Sequence, residues 1–161
     1  MKTKILIGTA AVFFAGLAFY LSSSNGENAT SPHPALTPGD AAVVAAGEAI
    51  YGEYCASCHG RNLEGQPDWR QRLASGRLPA PPHDETGHTW HHPDAVLFNL
   101  TKFGPAAVIG NPAYQSDMPA YERMLSDEEI LAVLSYIKSR WPKAVQRQHD
   151  QINQRANSSG R

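Results

Sequence analysis

Cysteine is nearly missing from this 161-residue chain: there are two, three positions apart. That scarcity excludes a multi-bridge disulfide framework. It also excludes a structural zinc site built on two cysteine pairs, because no second pair exists. An excess of positive charge is missing too. Lys and Arg number 14 against 15 Asp and Glu, a formal net charge of −1, so the chain lacks the basic footprint of a nucleic-acid binder. Acidic residues are absent from the first 21 positions. No Ser/His/Asp set and no paired carboxylates flank the cysteines, which leaves no hydrolase pattern there.

The two cysteines lie in Cys55-Ala56-Ser57-Cys58-His59, a C-x-x-C-H. On a helical turn, positions i, i+3 and i+4 share a face, so Cys55, Cys58 and His59 address one flat object. Two thiols at this spacing can add to the two vinyl groups of a haem, with His59 turned to the iron from the same side. The pattern reads as a c-type haem attachment site. A thioredoxin-like C-x-x-C would need a βαβ setting, and nothing nearby reads as parallel strands. A Cys55–Cys58 disulfide is sterically awkward within a helix.

The run Ala45-Ala46-Gly47-Glu48-Ala49-Ile50-Tyr51 leading into Cys55-Ala56-Ser57-Cys58-His59-Gly60 resembles the opening of class I cytochromes c. The likeness continues through Met118-Pro119 to the last helix, over residues 40–142. The resemblance implies an all-α fold of three to five helices around one covalently bound haem c. It implies Cys55 and Cys58 as the thioethers, His59 as the proximal iron ligand and Met118 as the distal one. A thioether is a soft neutral donor that favours ferrous iron, and Met124 is the rival sulfur. The resemblance also implies that a proline carbonyl, of Pro79 or Pro81, accepts the hydrogen bond of His59. It places Gly47 and its neighbouring aromatics against Val133 and Tyr136 of the last helix.

Four segments are expected. Residues 1–21 pair Lys2 and Lys4 with an apolar run from Ile5 to Leu21, about 26 Å of helix at ~1.5 Å per residue. Two readings stand, a cleaved signal peptide or a retained membrane anchor, and both export the rest. Residues 22–38, rich in Ser, Asn and Pro, read as a flexible linker containing His33. Residues 39–142 form the cytochrome domain. Residues 143–161 are polar and read as a tail that extends the helix briefly and is then disordered. Setting both ends aside leaves residues 22–142 with 8 basic and 14 acidic residues, a net of −6, suited to partners with a basic docking patch.

Within the domain, a first helix follows Thr37 as N-cap and Pro38 at N1, with Val44, Gly47, Tyr51 and Tyr54 on one face. Arg61 to Pro82 reads as loop, plugged by Trp69 and Leu73. Pro93 opens a second helix after His92, carrying Val96, Leu97, Leu100 and Phe103; Gly104-Pro105 stops it. Ala106 to Tyr121 reads as a broken loop holding Met118. Ser126-Asp127-Glu128-Glu129 is a capping box, and Ile130, Val133, Leu134, Ile137 and Trp141 form the stripe of the last helix up to Pro142. His83, His88, His91 and His92 crowd one loop. They read as a haem-edge lining, as a source of a second axial ligand, or as a metal site.

The expected function is an exported monohaem carrier on the periplasmic side of a bacterial inner membrane. It would pass single electrons between redox protein partners, with a terminal oxidase or reductase as acceptor, and would not itself be an enzyme. Residues 5–21 would give it a membrane contact if uncleaved. The alternatives are a haem enzyme or gas sensor with a labile distal ligand, and a metal-handling protein using the four histidines.

Overall fold

Helix α1, Ala41–Tyr54, starts where Asp40 turns its carboxylate onto the backbone N–H groups of Ala42 (2.9 Å) and Val43 (3.2 Å). Thr37, expected to be the cap, instead closes a turn in which its carbonyl accepts from Asp40 N at 3.1 Å. The computed structural model describes residues 35–111 and 113–159. The targeting segment 1–21 and linker residues 22–34, with His33, lie outside the described residues.

The end of the expected linker is part of the fold. Leu36 is buried, and its N–H donates to Asp94 Oδ2 at 3.0 Å. Thr37 N donates to Ser135 Oγ at 3.0 Å. Two backbone donors with long-range partners fix Leu36 and Thr37 where the composition suggested a free tether.

After α1 the order is α2 (Ala56–His59), a 3₁₀ turn (Thr89–His91), α3 (Asp94–Phe103), α4 (Pro105–Ile109), α5 (Asp127–Arg140) and α6 (Lys143–Ser159). There is no strand among the described residues. The all-α class expected from the sequence is the class observed. Among the described residues no helix is long and apolar enough to cross a membrane.

The frame is the crossing of α1 and α5. Helix α5 opens with the expected capping box: Glu129 N donates to Ser126 Oγ at 3.2 Å, and Ser126 N donates to Glu129 Oε2 at 2.8 Å. It buries Ile130, Val133, Leu134, Tyr136 and Ile137. Full burial of each such apolar side chain contributes about 1.5–3 kcal/mol. Gly47 meets α5 at Ala132 and Tyr136, and a methyl placed on it would overlap the Ala132 carbonyl. Tyr51 is buried one turn on, its ring 5.5 Å from that of Tyr136.

Three local expectations are corrected. Leu73 and Phe103 are exposed, so neither serves as core. Pro93 is the N-cap of α3 rather than its first residue, and the stretch after Gly104 is not all loop, since Pro105 begins the short helix α4. The polar tail is the largest departure. Residues 143–159 form a 17-residue helix. Its buried positions, Gln146 and His149, are polar, so no apolar stripe announced it. Gln146 Nε2 donates to Trp141 O at 2.9 Å, His149 Nε2 to His92 O at 2.9 Å, and Asn153 Nδ2 to Asp94 Oδ1 at 3.0 Å.

Candidate haem site

The sequence breaks α1 at Cys55 and resumes helix at once, which makes the motif a single tight turn. Cys55 O accepts from both Cys58 N (3.1 Å) and His59 N (2.9 Å), so the three motif side chains leave one face of that turn. Both thiols are free; Cys55 is half-buried and Cys58 exposed. Burial, followed by the neighbouring Cys58, pushes the Cys55 thiol up to about 11. Tyr51 Oη donates to Gly60 O at 2.8 Å, tying the end of the motif to the α1–α5 crossing.

His59 is buried, and its Nδ1 lies 2.8 Å from Pro81 O. A carbonyl only accepts, so Nδ1 carries the hydrogen and Nε2 keeps its lone pair. Burial lowers the pKa of His59, outweighing the Pro81 hydrogen bond that raises it. The side chain is therefore a neutral base with one ring nitrogen committed and the other available, the form an iron ligand takes. Of the two prolines the sequence offered, the structure selects Pro81.

Met118 is half-buried and packs against the same apolar cluster as Tyr54, Cys55 and Phe98, whereas Met124 is 47% exposed. Ser116 Oγ accepts from Met118 N at 3.1 Å and steadies the loop that carries it. Tyr121 Oη donates to Tyr54 O at 2.9 Å, linking that loop to the end of α1. Burial, then Cys55 and Cys58, raises the Tyr121 hydroxyl to about 12, so it stays a hydrogen-bond donor.

The four clustered histidines diverge. His83 stacks on His59, ring centroids 3.9 Å apart and planes 22° from parallel. Stacked face to face on His59, His83 would not supply a second ligand to a metal that His59 bound through Nε2. His88 stacks on Trp69 at 5.2 Å and meets His92 edge-on at 5.4 Å, while His91 stacks under Trp90 at 3.6 Å. Among the described residues no three His, Cys, Asp or Glu side chains converge to hold a metal ion. The metal-handling reading therefore lacks a cage.

Sequence reasoning missed the His83–His59 stack and the buried His149. The first had a signal in Pro81-Pro82-His83: once Pro81 accepts from His59, a residue two places on lies beside the same ring. The second had none in hydropathy.

The donor set suits a covalently held haem: two free thiols, a neutral imidazole with its outer nitrogen committed, and a half-buried thioether. The family model described as Cytochrome c matches residues 44–141, from early α1 to the end of α5. No curated protein and no solved structure matches the chain. The matched span covers more than half of the chain and contains the C-x-x-C-H turn, His59 and Met118; the chain belongs to the cytochrome c family, whose domain binds haem c covalently and works by haem-based electron transfer.

Proposed function

We propose that this is an exported monohaem electron carrier, with thioethers at Cys55 and Cys58 and axial ligands His59 and Met118. The observation that carries the reading is the state of His59: neutral, buried, and donating Nδ1–H to Pro81 O at 2.8 Å, which leaves Nε2 to bind. When bound, the haem supplies a one-electron couple. The chain's own residues do the rest. The turn from Cys55 to His59 fixes the cofactor at three points. Pro81 holds the tautomer of His59, so the ring keeps its orientation through either oxidation state. Met118, packed on the same apolar cluster as Cys55 and Phe98, would close the other side of the bound group against water and small ligands. Little needs to move when one electron arrives, which suits a carrier rather than an enzyme.

Residues 1–21, with Lys2 and Lys4 ahead of the apolar run, support export to the periplasmic side, whether the segment is cleaved or retained. The acidic balance of residues 22–142 favours donors and acceptors with basic docking patches, such as a terminal oxidase or reductase.

The test is the mass and colour of the natural protein recovered from membranes and from periplasm. A mass increment of one haem, a low-spin ferric spectrum with the weak far-red band of sulfur ligation, and no binding of carbon monoxide on reduction are expected. A colourless mature protein would overturn the proposal. High-spin ferric haem with ready carbon monoxide binding would replace it with the enzyme or sensor reading.

A further inference from the structure

Beside the expected ligand set stands a residue with no assigned task. His83 is not a random filler of the space next to His59, because its backbone N–H, its carbonyl and its ring Nδ1 are all held. Its N–H donates to Leu63 O at 2.7 Å. Its carbonyl accepts from the indole of Trp141 at 2.7 Å. The Thr89 hydroxyl, itself buried, donates toward Pro82 O at 3.5 Å and accepts from His83 Nδ1 at 2.8 Å. Tyr51 meets the ring edge-on at 6.3 Å.

The surroundings are arranged to keep the 81–83 segment in place. Leu63, whose carbonyl receives His83 N, sits at φ 71°, a left-handed conformation a leucine adopts only when its neighbours impose it. Gly65 and Gly87 approach the backbone of Pro82 so closely that a Cβ on either would overlap it. Helix α1 through Tyr51 and the 3₁₀ turn through Thr89 contact the imidazole, and helix α5 through its C-cap Trp141 holds the carbonyl of the same residue.

The His59 ring likewise has one hydrogen bond, at Nδ1, while its backbone N–H and carbonyl bond to Cys55 O and Gly65 N. A single in-plane bond fixes the tautomer and one point of a ring, and the ring still rocks about that point unless a face is blocked. The flat face of His83, 3.9 Å away, blocks it.

We propose that His83 is a positioning residue for the proximal ligand: stacked on His59 and clamped by Leu63, Thr89 and Trp141, it sets the plane in which the His59 imidazole stands. The inference rests on His59 being the iron ligand, as proposed above. The plane of an axial imidazole decides which iron d orbital it overlaps. In ferric low-spin haem this governs the order and spread of the paramagnetically shifted haem methyl resonances. That readout is independent of electron-transfer activity and of stability.

The experiment compares holoproteins carrying His83→Leu, His83→Phe and Thr89→Val with the parent by proton NMR in the ferric state, alongside thermal unfolding. His83→Leu removes the flat face and is expected to reorder the methyl resonances. His83→Phe keeps a flat face without the Thr89 bond and is expected to preserve their order. Thr89→Val leaves the ring untethered and is expected to narrow the methyl spread. If His83→Leu keeps the parental order and spacing while its melting temperature falls, His83 is core packing alone and the proposal is overturned. Should His83→Leu give no holoprotein, Thr89→Val decides, and a parental methyl pattern there overturns it. A parent chain without attached haem would instead remove the functional reading, and this inference with it.

Discussion

Gly47 of α1 stands so close to Ala132 of α5 that a single added carbon would overlap the Ala132 carbonyl and lie 2.9 Å from the Cβ of Tyr136. A helix-interior glycine costs about 1 kcal/mol against alanine, so the contact must repay more than that. Gly47→Ala is expected to destabilise the protein by about 1–3 kcal/mol net, because the obstacle is backbone and yields only if the crossing opens. Gly52, in the same helix, has nothing within 4 Å of its would-be Cβ. Gly52→Ala is expected to stabilise by about 0.5–1 kcal/mol. Denaturant midpoints of the two variants decide it; equal effects in one direction would mean the crossing is not sterically limited.

The two sulfurs are expected to separate cleanly by substitution. Met118→Ala should abolish the weak far-red band of the ferric protein, open the iron to carbon monoxide after reduction, and lower the reduction potential, since a soft neutral donor is lost. Met124→Ala should change none of these, as Met124 is exposed. The ferric spectra of the two variants are sufficient. Retention of the band in Met118→Ala with its loss in Met124→Ala would reverse the assignment.

What the sequence discloses here depends on whether a contact is local or apolar. The attachment turn and the capping box at Ser126 are legible because each is a spacing within one segment, and the partner of the Gly47 crossing follows from the resemblance to class I cytochromes c. The tail is not legible, because α6 docks through Gln146, His149 and Asn153, and a hydropathy reading registers these as solvated. Their partners are a carbonyl of Trp141, a carbonyl of His92 and the Asp94 carboxylate, which only the folded chain brings within reach. The cap of α1 shows a milder ambiguity. Thr37 and Asp40 are both good N-cap residues. Asp40 is the cap, since its carboxylate reaches Ala42 N and Val43 N, while the backbone of Thr37 is tied to Ser135, 98 positions away.

Ending the chain after Pro142 is expected to cost stability rather than trim a loose end. The truncation removes the side chains that satisfy the carbonyls of Trp141 and His92. It also removes Asp150, whose carboxylate pairs at 2.6 Å with the buried Lys138. Leaving a buried ammonium unpaired and two acceptors open should cost several kcal/mol. Urea unfolding of the truncated holoprotein measures it, and an unchanged midpoint would show that α6 does not support the domain.

The stability of the domain is expected to fall on mild acidification, with His149 as one cause. Its Nε2 donates to His92 O and lies 3.4 Å from Asp94 Oδ1, so a second proton must go to Nδ1, which is buried without a partner. Burial, then the charge of Lys138, lowers its pKa below the usual 6.5, outweighing the opposite pull of Asp94, His92 O and Asp150. Because the folded pKa is depressed, the unfolded chain binds the proton first. Stability is therefore complete above about pH 6.5 and declines as pH falls from there toward the folded value. His88 and His92, also lowered chiefly by burial, act in the same direction, so the total slope is shared. His149→Gln isolates one contribution: it keeps a donor for His92 O but cannot titrate. Urea midpoints at pH values of about 5, 6, 7 and 8 should then fall less steeply for the variant than for the parent. Parallel curves would mean that His149 takes its proton equally well in the folded and unfolded chains.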